Sequence, residues 1–319
     1  MRIVLPGGSG QVGQMLARHF HARGHRVTVL SRSAHPSPWK TLSWDGRTTG
    51  DWVTALEGSD LCINLTGRFV NCRYNQANRR EIVASRVDAT RVLGQVIAGL
   101  DRPPALWMNA STATIYRHTL DTQQPNDEFT GVLGGGEPGA PDTWNFSISV
   151  AKAWEQAFDE IPTPRTRKVA LRSALTLSPD QGGVFDVLLG LVRHGLGGTQ
   201  GSGKQWVSWI HEVDFIAAVE WIVGHPELEG PVNLAAPSPI HNRDFMRVLR
   251  ETCGVRIGLP APAFLIEIGT RFMQTESELV LKSRRVVPGK LMQSGFEFRF
   301  EDWPGAAKEL VKRWRALQR

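Results

Sequence analysis

An α/β fold on a doubly wound parallel sheet is what this sequence predicts, and three observations predict it. Short apolar runs alternate with stretches of helical period through the first half of the chain. A glycine-rich turn joins the first apolar run to the first helical stretch. Toward the end the texture shifts to Pro-rich turns and short helical segments, which reads as a small, mostly helical C-terminal domain.

The elements follow in order. Ile3-Val4-Leu5 is a strand. Val12, Leu16 and Phe20 recur at helical spacing, and Gly24 stops that helix. Val27 to Leu30 forms a second strand, and Leu61 to Leu65, Ala105 to Ala110 and Val169 to Leu171 form others. Helices run from about Asn75 to Leu100 and from about Phe146 to Glu160. Beyond Ser178, Gly182-Gly183, Gly195-Leu196-Gly197-Gly198 and Gly201-Ser202-Gly203 are loop material. A helix from Glu212 to Val223 and a strand at Val232-Asn233-Leu234 return to the sheet. The expected division is a nucleotide-binding core over 1–178, to which 207–236 returns, and a smaller substrate-binding part over 179–319. There is no internal repeat and no low-complexity segment.

Composition narrows the classes. The 319 residues are 41% hydrophobic and 21% charged, enough apolar matter for a sizeable core. The net charge of +6 is spread along the chain, which argues against nucleic acid and favours an anionic small molecule. Three cysteines without a C-x-x-C pair exclude a disulfide framework and a cysteine zinc site. His21 and His25 are four apart, but Gly24 breaks the helix between them, so no metal is expected. No apolar run reaches the ~18 residues of a membrane span. With Arg2-Ile3-Val4-Leu5 at the start and no leader ahead of it, a soluble cytoplasmic protein is expected.

Gly7-Gly8-Ser9-Gly10-Gln11-Val12-Gly13 satisfies G-x-G-x-x-G from Gly8 and G-x-x-G-x-x-G from Gly7. Glycines permit a tight turn and close approach to a pyrophosphate, and the helix start supplies N–H donors. A purely structural turn is the alternative. The strand before and the helix after favour a dinucleotide, with Gly7, Ser9, Gly10, Gln11 and Val12 as its contacts. The second strand ends in Ser31-Arg32, where an NAD site wants a carboxylate. A hydroxyl and a guanidinium suit the 2′-phosphate of NADP(H) instead, although Arg32 also reads as an ordinary surface arginine.

Further segments resemble a known group. Asn64-Leu65-Thr66-Gly67, Ser85-Arg86-Val87 and Ala110 to Tyr116 are similar in order and spacing to extended short-chain dehydrogenases/reductases. Leu196 to Trp206, Ser208-Trp209-Ile210-His211-Glu212-Val213-Asp214 and Gly230 to Pro237 resemble the atypical branch labelled "epimerase family protein". The tail from Leu259 through Val286-Val287-Pro288 to Phe298 resembles that branch's C-terminal module of unassigned function. The resemblance covers essentially the whole chain. It implies a Rossmann-type core that binds NADP(H), with a small substrate-binding part in the same subunit. It carries Ser31 and Arg32 to the adenosine phosphate end. It places Leu65, Thr66 and Gly67 beside the cofactor, and Glu81 and Arg86 on a helix facing the cleft. Glu81 and Arg86 bridging each other is the plainer alternative.

The resemblance also exposes what is missing. Reductases of this superfamily use Ser/Thr, Tyr and Lys, the last two four apart on one helix face. Thr112 falls on the Ser/Thr position. The helix reads Phe146-Ser147-Ile148-Ser149-Val150-Ala151-Lys152-Ala153-Trp154-Glu155. One register sets Ile148 against Lys152. The other, anchored on Glu155, sets Ser147 against Ala151 and is preferred, which makes Ala151 a cofactor neighbour. Neither has a tyrosine, and the chain has only two, Tyr74 and Tyr116. Tyr116 sits where such families place a packing tyrosine. Arg86 replaces the usual Asn and suits a phosphate or an anionic substrate. Gln205, Trp206 and His211 are candidate substrate contacts, each with a packing alternative. Two functions are open: an NADP(H)-dependent oxidoreductase or epimerase-like enzyme on a small molecule, or a non-catalytic NADP(H)-binding redox sensor or scaffold. The helices near 75–100 and 146–160 are the usual dimer surface of extended members, so a monomer or a homodimer is expected.

Overall fold

The computed structural model describes residues 1–33, 36–120, 124–272 and 276–318. The first half contributes β1 (Arg2–Pro6), α1 (Gln11–Ala22), β2 (Arg26–Ser31), β3 (Lys40–Ser43), α2 (Val53–Leu56), β4 (Leu61–Asn64), α3 (Gln76–Gly99), β5 (Leu106–Thr112), α4 (Asp142–Asp159) and β6 (Arg167–Ser173). A single 3₁₀ turn, Ala113–Ile115, follows β5. The second half contributes β7 (Leu175–Leu177), α5 (Val184–Arg193), β8 (Trp206–Val207), β9 (Trp209–His211), α6 (Glu212–Gly224), β10 (Gly230–Leu234), β11 (Ile240–His241) and α7 (Asn242–Cys253). The chain ends with α8 (Ala263–Phe272), α9 (Glu278–Leu281), α10 (Gly289–Gln293) and α11 (Trp303–Leu317).

Seven parallel strands form the main sheet in the order β10-β6-β5-β4-β1-β2-β3. The chain builds outward from β1 to β3, then returns to the other side of β1 with β4. That reversal opens a crevice beyond the carboxyl ends of β1 and β4, where doubly wound sheets bind ligands. The inner strands are apolar on both faces because helices cover both. Ile3, Leu5, Leu61, Ile63, Met108 and Leu171 pack under α1 and α6. The intervening Val4, Cys62, Trp107 and Ala170 pack on the opposite side with Leu93, Ile97 and Phe158. This alternation is the strand period of two made visible.

β3 is absent from the sequence reading. It is an edge strand of four residues with no buried member, so it carries no apolar run to detect. The helical C-terminal region forms around a second core. Phe245 and Trp303 stack there at 4.1 Å, and Trp209 meets Trp303 edge-on at 5.3 Å. Two small sheets, β7 with β9 and β8 with β11, join this region to the end of β6. No helix among the described residues is long and apolar enough to cross a membrane.

Candidate functional site

The glycine loop is closed backbone to backbone. Gly7 N–H donates to the Leu30 carbonyl at 2.9 Å, and Gly8 N–H to the Leu5 carbonyl at 3.0 Å. Gly7 has φ +73°, and a Cβ there would lie 2.7 Å from the Thr66 nitrogen. A Cβ on Gly13 would lie 2.4 Å from the Gly8 Cα. The glycines therefore let the loop, the start of α1 and the segment after β4 touch. Gly10 caps α1 without any side-chain hydrogen bond, so the first-turn N–H groups face the crevice. Gln11 Nε2 and Thr66 Oγ1 are buried there without a hydrogen-bond partner among the described residues. Gln11 also lies against Gly183, just before α5, and Val12 packs on the core below.

At the carboxyl end of β2, beside the start of β3, lies a cavity of about 220 Å³. Ser9, Ser31, Ser33, Ser37 and Thr41 line it, with Trp39. Ser31 donates to Ser9 at 3.0 Å, which ties this cavity to the glycine loop. Arg32 is exposed and has no partner among the described residues.

Leu65 extends β4 by donating its N–H to the Pro6 carbonyl at 2.8 Å. Gly46 lies against Thr66, and neighbouring Arg47 pairs with Glu81 at 3.2 Å. Glu81 is half exposed and does not meet Arg86, because five residues on a helix turn them to different faces. Arg86 points inward. Its guanidinium lies over the Trp154 ring at 5.0 Å, donates to the Ile82 carbonyl at 3.0 Å and backs onto Gly67. Burial pulls its pKa down to about 10, and the Tyr74 phenol offsets part of that. No carboxylate pairs with it among the described residues.

Thr112 ends β5, and its hydroxyl accepts the Thr114 N–H at 3.1 Å. On α4, Ile148 is 2% exposed and packs on the 134–135 loop, while Lys152 faces solvent. Ser147 donates to Glu278, and Ala151 packs behind Ala113 and Ile115. Tyr116 is fully packed; its hydroxyl donates to Asn233 and accepts from Arg172, both at 3.0 Å.

A buried polar cluster lies over the first half of α4, and sequence reasoning missed it. Tyr74, from the connection between β4 and α3, packs its ring edge-on against Phe146. Glu276 accepts the Tyr74 N–H at 2.7 Å. Glu278, 1% exposed, takes Ser147 on one oxygen and Arg284 on the other. The Lys282 ammonium donates to the Thr114 carbonyl at 3.0 Å and stands 3.9 Å from Glu278. Burial and then Glu278 push the Tyr74 phenol up to about 12. Burial and then Arg284 pull Lys282 down to about 7. The charge-rich run Glu276 to Arg285 and the scarcity of tyrosine were the only signals available.

Of the other substrate candidates, His211 and Gln205 take the packing alternative. His211 is fully enclosed: Nδ1 accepts the Val213 N–H at 3.1 Å, Nε2 bonds Glu309 at 2.7 Å, and the ring stacks on Phe300. Both nitrogens are used, so His211 caps α6 and does not face a ligand. Gln205 is 3% exposed and donates to the Gln200 and Val280 carbonyls, which fastens its loop to α9. Trp206 is half-buried, stacked between His241 and Arg285.

The comparisons with known proteins agree with this geometry. The NAD dependent epimerase/dehydratase family matches residues 3–235, and a domain of unknown function, DUF1731, matches residues 261–310. The human epimerase family protein SDR39U1 is 29% identical over 316 residues, covering 98% of this chain and 100% of the relative. The Bacillus subtilis epimerase family protein YfhF is 28% identical over 318 residues, covering 98% of each. The crystal structure of human SDR39U1 (isoform 2) with NADPH superposes with a TM-score of 0.84 at 27% identity, covering 98% of this chain and 99% of that one. By the extent of that family match, this chain is a member of the NAD dependent epimerase/dehydratase family.

Proposed function

We propose that this protein binds NADP(H) and acts as an oxidoreductase or epimerase-like enzyme on a small, anionic molecule. The observation that carries the reading is the crevice between Gly7, Gly10 and Thr66. Its walls are backbone, its helix N–H groups have no side-chain cap, and Gln11 and Thr66 carry orphaned polar atoms. A pyrophosphate would satisfy all of these. The hydroxyl-lined cavity beside Ser31, with the exposed Arg32 next to it, suits the adenosine 2′-phosphate. The NADPH in the human relative supports the same choice.

When bound, the nicotinamide supplies or accepts a hydride at a carbon bearing oxygen. Leu65, Thr66 and Gly67 border that position from β4, and Thr112 from β5. Ala151 presents no lysine to it, and the buried Arg86 stands against Gly67. We assign the cofactor to residues 1–178 with the returning 207–236, and substrate binding to 179–319. Gly183 against Gln11, and Glu278 over Ser147, are the contacts that motivate this division.

Calorimetric titration with NADPH, followed by a spectrophotometric screen of ketones, aldehydes and nucleotide sugars, tests the reading. Binding of NADPH with turnover of one substrate class supports it, and failure to bind either redox form of the cofactor refutes it. Tight NADPH binding with no oxidation across the screen selects the non-catalytic sensor instead. In that reading Ser147 and Ala151 at the tyrosine and lysine positions mark lost chemistry.

A further inference from the structure

The level at which Arg86 stands is set by its neighbour one turn along α3. Thr90 Oγ1 accepts from Asn64 Nδ2 at 3.2 Å and from Trp154 Nε1 at 3.0 Å, and donates to Asn109 at 3.3 Å. Asn64 is the last residue of β4 and pairs in register with Asn109 of β5. The helix runs back along the sheet, so Arg86, one turn before Thr90, stands beyond the strand ends. There it meets Gly67, three residues past β4. Thr66, the preceding residue, lies against Gly7. Contact therefore leads from the glycine loop through Thr66 to the residue on which the guanidinium rests.

The guanidinium lies flat on Gly67. A Cβ there would be 3.1 Å from Cζ and 3.3 Å from both Nε and Nη2, the distances of a point above the plane rather than beside an edge. Cζ also sits over the Trp154 ring at 5.0 Å. Nη1 donates to the Ile82 carbonyl at 3.0 Å. Nε and Nη2 form the remaining edge, and neither has a hydrogen-bond partner among the described residues. The neighbouring carboxylates are already paired, Glu81 with Arg47 and Glu155 with Arg172. A cation held partly out of water without a counter-ion is costly, and a ligand carboxylate would supply one.

We propose that the Nε and Nη2 edge of Arg86 receives the carboxylate of the substrate, and that the substrate is a 2-oxo acid or the matching 2-hydroxy acid. The inference rests on the NADP(H) reading above, which sets the reacting carbon beside Gly67. Two parallel N–H donors match the two oxygens of one carboxylate. The guanidinium rests on Gly67 and the reacting carbon borders the same residue, so carboxylate and carbonyl are bonded neighbours. A longer spacer would carry the carbonyl past that position. In the direction of reduction, C2 gains hydride from the reduced nicotinamide, its π pair moves onto oxygen, and that oxygen takes a proton from water. The products are the 2-hydroxy acid and the oxidised cofactor. The carboxylate keeps its charge throughout, so the Arg86 contact orients C2 before and after the step.

Oxamate tests this without turnover, because its carboxylate adjoins a carbonyl that the amide makes unreactive. Calorimetry follows oxamate, its neutral ethyl ester and inorganic phosphate into the full chain saturated with NADPH, for wild type, Arg86→Gln and Arg86→Lys. Oxamate is expected to bind wild type and to lose about tenfold or more in affinity in Arg86→Gln. The ester is expected to bind neither. Arg86→Lys keeps the charge without the paired donors. It should also weaken oxamate, and it carries the comparison if the glutamine variant does not fold. Oxamate that does not bind wild type, binds the variants equally well, or binds no better than its ester overturns the proposal. Binding of phosphate in place of oxamate overturns it too. An equal loss of NADPH affinity in Arg86→Gln would return the residue to the cofactor and overturn it as well. A wild type that binds no NADPH removes the cofactor reading together with this proposal, whereas bound NADPH without oxamate removes only the proposal.

Discussion

Arg172 closes on Glu155 at two points, Nε to Oε1 at 2.8 Å and Nη2 to Oε2 at 2.7 Å, deep between α4 and β6. Ser111 adds a third contact to the same carboxylate at 2.5 Å. Through Tyr116 and Asn233 the network reaches β10. Burial works against the guanidinium's charge, but Glu155 holds its pKa above the ordinary value. The pair ties α4 to β6 and, through Ser111, to β5.

Breaking one side of this pair should be expensive. Arg172→Met strands a buried carboxylate and is expected to cost about 3–5 kcal/mol in urea denaturation. Adding Glu155→Met to it should recover most of that loss, because the uncompensated charge is gone. A single substitution costing under about 1 kcal/mol, the value of an exposed pair, would show that the network does not hold the helix.

The glycines should separate fold from ligand binding. Gly13→Ala drives a Cβ into the Gly8 backbone and is expected to cost about 1–3 kcal/mol of stability without any ligand present. Gly10→Ala meets nothing nearer than the Gly7 carbonyl oxygen at 3.7 Å, so the apo protein should melt as wild type does. Its methyl points into the crevice, and NADPH affinity should fall about tenfold or more by calorimetry. Equal NADPH affinity in Gly10→Ala would place the pyrophosphate elsewhere.

Much of this was legible in the residues. The inner strands announce themselves as apolar runs because both faces are covered, and the glycine loop because backbone contact tolerates no other residue. β3 stayed hidden because an edge strand has nothing to bury. For His211 and Gln205 the residues left ligand contact and packing both open, for a different reason. A sequence gives residue type and spacing, but the direction of a side chain comes from its neighbours. Phe300 and Glu309, far along the chain, turn His211 into the core. The Tyr74, Ser147 and Glu278 cluster draws on three distant segments, and only folding brings them together.

Lys282 gives a pH test of that cluster. Unfolded, its amine titrates near the ordinary 10.5; folded, it titrates near 7. Between those values the unfolded chain binds more protons, so stability rises with pH. Below the folded value both states are charged and the full cost of burying the ammonium is present. Arg284 adds to that cost, and Glu278 and Glu137 reduce it. Lys282→Met is therefore expected to stabilise the protein by on the order of 1–3 kcal/mol at about pH 6, with the gain shrinking toward about pH 10. A pH-independent difference, or a loss at about pH 6, would mean that the ammonium is stabilised by its surroundings.

Cofactor choice is where single residues speak most directly. Arg32 is exposed and unpaired among the described residues, beside a cavity rimmed by Ser31, Ser33 and Ser37. A charge-assisted phosphate contact there contributes about 1.5–3 kcal/mol, a preference for NADPH over NADH of about ten- to a hundredfold. Arg32→Ala should erase most of that preference and leave NADH affinity nearly unchanged, because NADH has no phosphate at that position. Serine hydroxyls alone would retain a small residue of the preference, since neutral donors are weaker than a guanidinium. Titrating both cofactors into both proteins decides it. Wild-type affinity equal for the two cofactors, or an equal loss for both in Arg32→Ala, would remove Arg32 from the phosphate site.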